Sequence, residues 1–340
     1  MAWCVGPYPF PPSFLFPLCT DLKPFAIDDV HLHKTGDHSR KPLAVGGFGS
    51  IYKVRFHRQL CVAKFLNAVT RENLDAFVSE ATITSRFSHF HIVRLIGVCL
   101  DPGRLAIVLE FCERGSLEAV LTKEPLTLGQ GLMTMLSQTA TALSYLHSRG
   151  FVHLDIKSGN VLIRDDYSAV LTDFGETKRS DSVSKIKAGS HFYVAPEITE
   201  GRDYGFPSDI FSFGILLLEC GAFYLHKAYL KKRWRDGKAN DHPIQVAFEG
   251  MDVSRGQEAS GKIALEGWRP AIPPALREHW PDFVDLIKRC WAQDPSERPS
   301  AQELVTELAA CESDHRGREI DKLLGAHLSE EDRRQYHEFG

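Results

Sequence analysis

Three polar side chains set into short apolar runs constrain this chain more than any other feature. They are Asp155, Lys157 and Asn160 in Phe151-Val152-His153-Leu154-Asp155-Ile156-Lys157-Ser158-Gly159-Asn160-Val161-Leu162-Ile163. A second acid, Asp173, follows one apolar run later, in Leu171-Thr172-Asp173-Phe174-Gly175. Val161 to Ile163 and Val170 to Leu171 read as a β-hairpin turning through Arg164-Asp165-Asp166-Tyr167. Such a hairpin carries Asn160 and Asp173 to the same end. An amide and a carboxylate brought together suit a hard cation such as Mg2+, which takes oxygen ligands and shares them with phosphates. For each residue alone, the alternative is a buried polar turn that caps its own backbone; the set at this spacing favours a site.

A chain of 340 residues leaves room for about two domains. A hydrophobic content of 43% is enough for a sizeable core. The net charge of -4 speaks against a general nucleic-acid binder. Eight cysteines are widely scattered with no C-x-x-C pair, so neither a zinc knuckle nor a disulfide framework is expected. A cytosolic setting, or a nuclear one, follows as the expectation. No run of 18 or more apolar residues occurs, so no membrane-spanning helix is expected. Residues 1–39 open with apolar side chains broken by Pro7, Pro9, Pro11, Pro12 and Pro17. Lacking a basic start and a helical core, they read as an extended surface segment or a disordered leader rather than a signal peptide.

From Leu43 the pattern turns strand-like. Tyr52, Val54 and Phe56 alternate with Lys53, Arg55 and His57, and Gly46, Gly47 and Gly49 lie in the turn before them. Backbone amides approach a phosphate closely only where no side chain intervenes; a tight hairpin needs such glycines too. Leu60 to Leu66 is a strand that is apolar but for Lys64. The helix after it puts Leu74, Phe77, Val78, Ala81 and Phe87 on one face, with Glu80 beside it. A buried lysine needs an anion, and Glu80 is the candidate. Ile92 to Val98 and Leu105 to Phe111 complete a sheet of about five strands. A helix over 128–149 follows, stopped by Gly150.

These segments together resemble the eukaryotic protein kinases, over roughly residues 40 to 310. The resemblance implies an α+β bilobal protein kinase fold, with a small β-rich N-lobe over 40–111 and a larger, mainly helical C-lobe over 112–311. A Pro-rich leader (1–39), a long insertion (222–262) and a charged helical tail (312–340) lie outside the family pattern. ATP and Mg2+ are implied as substrate and cofactor. Asp155 is then the catalytic residue that orients the acceptor hydroxyl, Lys157 neutralises the γ-phosphate, and Asn160 and Asp173 hold the metal. The implied ATP-binding set is Leu43, Ala44, Val45, Gly46, Gly47, Phe48, Gly49, Ser50, Ile51, Val62, Lys64, Glu80, Glu110 and Cys112. Ala44 stands where the family's first loop glycine falls, a departure expected to stiffen the loop. Asp209 resembles the acid that holds the catalytic-loop backbone, and Arg298 the partner of Glu197.

Lys157 and Gly189-Ser190-His191-Phe192-Tyr193 resemble the serine/threonine pattern, so the expected acceptors are serine and threonine hydroxyls of protein substrates. Ile96-Gly97-Val98-Cys99, Ser212-Phe213-Gly214-Ile215 and Cys290-Trp291 resemble the tyrosine-kinase-like group, as in Raf and mixed-lineage kinases, and His153-Leu154-Asp155 resembles Mos. Leu154 replaces the arginine that usually anchors a phosphorylated activation loop, which predicts weak dependence on such phosphorylation. Lys227, Lys231, Lys232, Arg233 and Arg235 make the insertion (227–238) either a dock for an acidic partner or a solvated face. A pseudokinase scaffold with little or no phosphoryl transfer is the alternative.

Overall fold

The computed structural model describes residues 24–25, 30–32, 42–46, 49–56, 58–101, 104–123, 131–181, 189–235 and 256–313. They fall into two compact units. One runs to Glu113 and takes in Thr172–Thr177; the other holds Arg114–Leu171 and the chain from Lys178 onward.

The first unit contains β1 (Pro24–Phe25), β2 (Val30–Leu32), β3 (Ala44–Val45), β4 (Gly49–Phe56), β5 (Gln59–Leu66), α1 (Arg71–Ser85), β6 (Leu95–Asp101) and β7 (Arg104–Glu110). The strands form one sheet in the order β1-β6-β7-β5-β4-β2, with β3 also paired to β4. Strand periodicity divides the side chains between two faces. Cys61 and Ala63 join Val54, Cys99, Ala106 and Val108 on one face. On the other, Val98, Leu100, Leu105 and Ile107 pack against Leu74, Phe77 and Ala81 of α1. Thr70 caps α1 by accepting the Asn73 N–H at 3.2 Å. Lys64 lies on the helix-facing side of β5, two residues from Leu66, and so meets α1 rather than solvent.

Among the described residues the sheet has seven strands rather than about five. The difference comes from the leader: β1 pairs in parallel with β6, Pro24 opposite Val98, and β2 pairs antiparallel with β4, Val30 opposite Phe56. Free sheet edges recruit backbone through N–H and C=O groups, and side-chain patterning carries no sign of that.

The second unit contains β8 (Gly115–Ser116), α2 (Leu117–Lys123), α3 (Met133–Ser148), β9 (Phe151–Val152), β10 (Val161–Ile163), β11 (Ala169–Leu171), β12 (Lys178–Arg179), α4 (Pro196–Thr199), α5 (Phe206–Arg235), α6 (Gly256–Glu266), α7 (Pro274–His279), α8 (Pro281–Cys290) and α9 (Ala301–Ser313). The expected hairpin is present, with Val161 opposite Leu171 and Ile163 opposite Ala169. Helix α3 continues a helical turn at residues 131–132 and ends before Gly150, whose φ of 79° stops it; residues 128–130 of the expected helix lie outside the described residues.

By length and composition, Phe206–Tyr224 of α5 is the one described helix able to cross a membrane, yet 89% of it is buried within the protein. Phe211, Phe213, Leu216 and Leu217 are fully enclosed, as in the core helix of a folded domain. Gly214 lets α5 approach α8: a Cβ there would sit 2.7 Å from that of Cys290. Residues 222–235, read from sequence as the start of an insertion, continue α5. The side chains of its basic stretch, residues 236–255 and the tail from 314 onward lie outside the described residues.

Candidate active site

In the first unit the ammonium of Lys64 sits 2.7 and 2.8 Å from the two carboxylate oxygens of Glu80 and 3.4 Å from Asp173 Oδ1. Burial works to strip its proton; the charges of Glu80 and Asp173 outweigh that and hold the Lys64 pKa above the ordinary lysine value. Asp173 has a φ of 64°, a left-handed conformation that is costly away from glycine and that accumulates at functional sites.

Gly49 is required sterically, because a Cβ there would lie 2.6 Å from the carbonyl oxygen of Phe65. The Gly46 N–H donates to Gly49 O at 2.8 Å. Asn67, which sequence reasoning passed over, ties this turn down: its amide donates to Gly46 O at 3.2 Å and its oxygen accepts from Ser50 Oγ at 2.7 Å. Ala44 pairs with Ile51 and is not among the positive-φ residues, so it demands no glycine. Leu43 and Val45 are exposed. Val62 pairs with Lys53 and Leu109 within the sheet. Glu110 closes β7, its Oε1 accepting the Arg94 N–H at 2.8 Å, and Cys112 is buried. Gly47 and Phe48 lie outside the described residues.

In the second unit Asp155 is the centre of a dense set of bonds. Lys157 Nζ donates to its Oδ2 at 2.7 Å, Ser190 Oγ donates to its Oδ1 at 3.0 Å, and Lys157 also donates to Ser190 Oγ at 2.8 Å. The amide nitrogen of Asn160 donates to both the carbonyl and Oδ2 of Asp155 at 2.8 Å, and the side-chain oxygen of Asn160 takes no part in these two bonds. The chemistry open to this arrangement is orientation of a hydroxyl at a carboxylate, beside an ammonium that can balance a nearby anion.

The protein kinase domain model matches residues 38–308 of this chain. The chain belongs to the protein kinase family. Among its relatives, a probable serine/threonine-protein kinase of Dictyostelium discoideum is 32% identical over 68% of this chain and 15% of its own length. The serine/threonine-protein kinase STY17 of Arabidopsis thaliana is 27% identical over 86% of this chain and 48% of its own. The dual specificity protein kinase pyk3 of Dictyostelium discoideum is 29% identical over 80% of this chain and 18% of its own. The chain thus spans about half or less of the length of these curated relatives.

Within the kinase domain the loop that carries Asp155 hangs from α5. Asp209, fully buried, accepts the Leu154 N–H on Oδ1 and the His153 N–H on Oδ2, each at 2.7 Å, and His147 Nε2 lies 2.8 Å from Oδ2. These bonds hold Leu154, buried and at φ 68°. The expected Glu197–Arg298 pair is present and two-pronged, at 2.7 and 2.9 Å. Burial pushes the Glu197 carboxyl up, but the hydrogen bonds and charge of Arg298, with a bond from Ser208, bring it below the ordinary glutamate value. In the link before β6, the His91 N–H donates to His89 Nδ1 at 3.2 Å.

Sequence reasoning missed Glu219. Its Oε1 accepts from Ser158 Oγ and its Oε2 from Tyr193 OH, both at 2.7 Å. A lone glutamate inside the apolar run Ile210 to Cys220 was the available signal, since a buried carboxylate must find donors.

Proposed function

We propose that this chain is an ATP-dependent protein kinase that phosphorylates serine and threonine hydroxyls of protein substrates. The observation that carries the reading is the Asp155–Lys157–Ser190 triangle, with Asn160 bonded to Asp155. In this reading Asp155 orients the acceptor hydroxyl and receives its proton. Lys157 balances charge on the γ-phosphate, and Lys64, fixed by Glu80, takes the α- and β-phosphates of ATP. The donor set fits Mg2+: Asp173 offers a carboxylate and Asn160 a carbonyl oxygen, both hard ligands. When bound, the metal neutralises charge on the phosphate oxygens. The presence of Lys64, Asp155, Lys157, Asn160 and Asp173 supports transfer over a scaffold that only binds.

Within the family we assign the chain to the tyrosine-kinase-like group on the Ile96–Cys99, Ser212–Ile215 and Cys290–Trp291 phrases, with residues 40–311 as the kinase domain. The wide scatter of the eight cysteines, with no C-x-x-C pair, is the ground for proposing a reducing, cytoplasmic or nuclear setting. The basic stretch 227–238 is assigned to an acidic partner on its charge alone.

The test is purified protein with Mg2+ and labelled ATP on a mixed protein substrate, beside Asp155→Asn. Transfer by the wild type, lost in the variant while nucleotide still binds, is the expected result; equal transfer by both overturns the assignment. Phosphoamino-acid analysis then decides the acceptor. Mainly phosphotyrosine would remove the serine/threonine reading, and a mixture would match the dual-specificity name of pyk3.

A further inference from the structure

We propose that Glu219 is a positioning residue for phosphoryl transfer, holding the Asp155 loop and the Ser190 loop in register while the acceptor hydroxyl and phosphate occupy the groups that otherwise join them. The inference rests on the kinase reading above.

Two sets of bonds connect these loops. The first is direct and polar: Ser190 Oγ to Asp155 Oδ1, and Lys157 Nζ to Ser190 Oγ. Turnover makes demands on this set, because the acceptor hydroxyl needs Asp155 and the γ-phosphate needs Lys157. The second set runs underneath. Ser158, adjacent to Lys157, donates to Glu219 Oε1, and Tyr193 donates to Oε2, each at 2.7 Å. The Tyr193 N–H in turn bonds to Ser190 O at 2.8 Å, and Ser212 Oγ donates to Tyr193 O at 2.7 Å. In the kinase reading the roles toward acceptor and phosphate fall to Asp155 and Lys157 of the first set, and none is assigned to this second set.

Glu219 is fully enclosed, and so are Ser158 and most of Tyr193. Burial, and then the charge of Glu219, push the Tyr193 hydroxyl pKa well up, so the phenol remains a donor at any working pH. Asp209, Ser212 and Glu219 follow one another on α5 at intervals of three and seven, which places them along one stripe of the helix. A rigid helix therefore fixes the catalytic loop before Asp155 through Asp209 and after Lys157 through Glu219, and the same carboxylate fixes the facing loop. Small displacements of reacting groups are costly: about 1 Å removes about 100-fold in rate.

The experiment uses the full chain as wild type, E219L, E219Q and the double variant S158A/Y193F. MgATP binding gives the affinity and the number of competent sites; turnover on a serine/threonine peptide library gives kcat per competent site. E219L is expected to lose at least about tenfold in kcat per competent site, about 1.4 kcal/mol in the barrier, with its affinity for MgATP within about twofold. E219Q can still bond both hydroxyls, and is expected to recover at least half of that loss on a logarithmic scale. A purely structural role would reduce the number of competent sites and leave their kcat alone. A loss under tenfold in E219L, or E219Q as slow as E219L, overturns the proposal. Should E219L fail to fold, S158A/Y193F, which removes only two hydroxyls, carries the same tenfold criterion. Wild type that binds MgATP but transfers no phosphate would overturn the kinase reading, and this inference with it; active wild type with undiminished variants overturns the inference alone.

Discussion

Replacing Asp209 by alanine should loosen the catalytic loop at its root. The carboxylate is fully buried and takes two backbone N–H groups, from His153 and Leu154, as well as the imidazole of His147. In Asp209→Ala two buried amides lose their acceptor, at about 1–3 kcal/mol each, and the His147 bond adds about 1 kcal/mol. Against this, Leu154 is free to leave its φ of 68°, which returns about 1–2 kcal/mol. The net expectation is a loss of about 2–5 kcal/mol. Asp209→Asn keeps one carbonyl oxygen and should lose about half as much. Urea denaturation at fixed pH reads this as a midpoint lowered by about 1–2 M for alanine. Turnover per folded molecule should fall about 100-fold, because Asp155 follows directly on the released segment. A midpoint within about 0.3 M of wild type, or normal turnover in a destabilised Asp209→Ala, would refute the idea that these bonds hold the loop in its working shape.

Lys64→Met should cut turnover at least about tenfold and leave the Glu80 carboxylate without its cation; a Lys64→Met enzyme as fast as wild type would end the assignment of Lys64 to the phosphates. The Glu197–Arg298 pair gives a pH dependence. Because the folded Glu197 pKa lies below its ordinary value of 4.5, its contribution is present above that value and disappears as pH falls through the depressed one. Urea midpoints should therefore decline below about pH 4.5, and the decline should be shallower in Glu197→Gln; matching acid slopes would count against this. Activity should depend weakly on activation-loop phosphate. The Leu154 side chain has no donor for it, and the described start of the segment, residues 178–180, is already tethered by the β9–β12 ladder and by the Ser180 N–H to Gly150 O bond at 2.9 Å. Phosphatase treatment, and alanine at Ser180, Ser182 and Ser184 together, should each cost less than about tenfold; larger losses in both would show that the loop needs its phosphate.

The chain's order of polar residues determined a good deal by itself. Lys64 set in an apolar strand called for an anion, and Glu80 supplies it. The two short apolar runs around Arg164–Tyr167 specified a hairpin, which forms with Val161 opposite Leu171. Glu197 with Arg298, and Asp209 beneath the catalytic loop, were legible because these residues stand in a family order that fixes their partners. Such features are written in local periodicity, or in spacings that a fold repeats. Other features were decided only by the tertiary structure. The leader's two short strands come from backbone pairing at sheet edges, which depends on main-chain groups rather than on a side-chain pattern. Asn67 is one polar residue among many until the chain brings Gly46 and Ser50 to its two ends. Glu219 meets its partners across separations of 61 and 26 residues. A buried carboxylate announces that donors must exist, but only the packing of α5 under both loops says which hydroxyls they are.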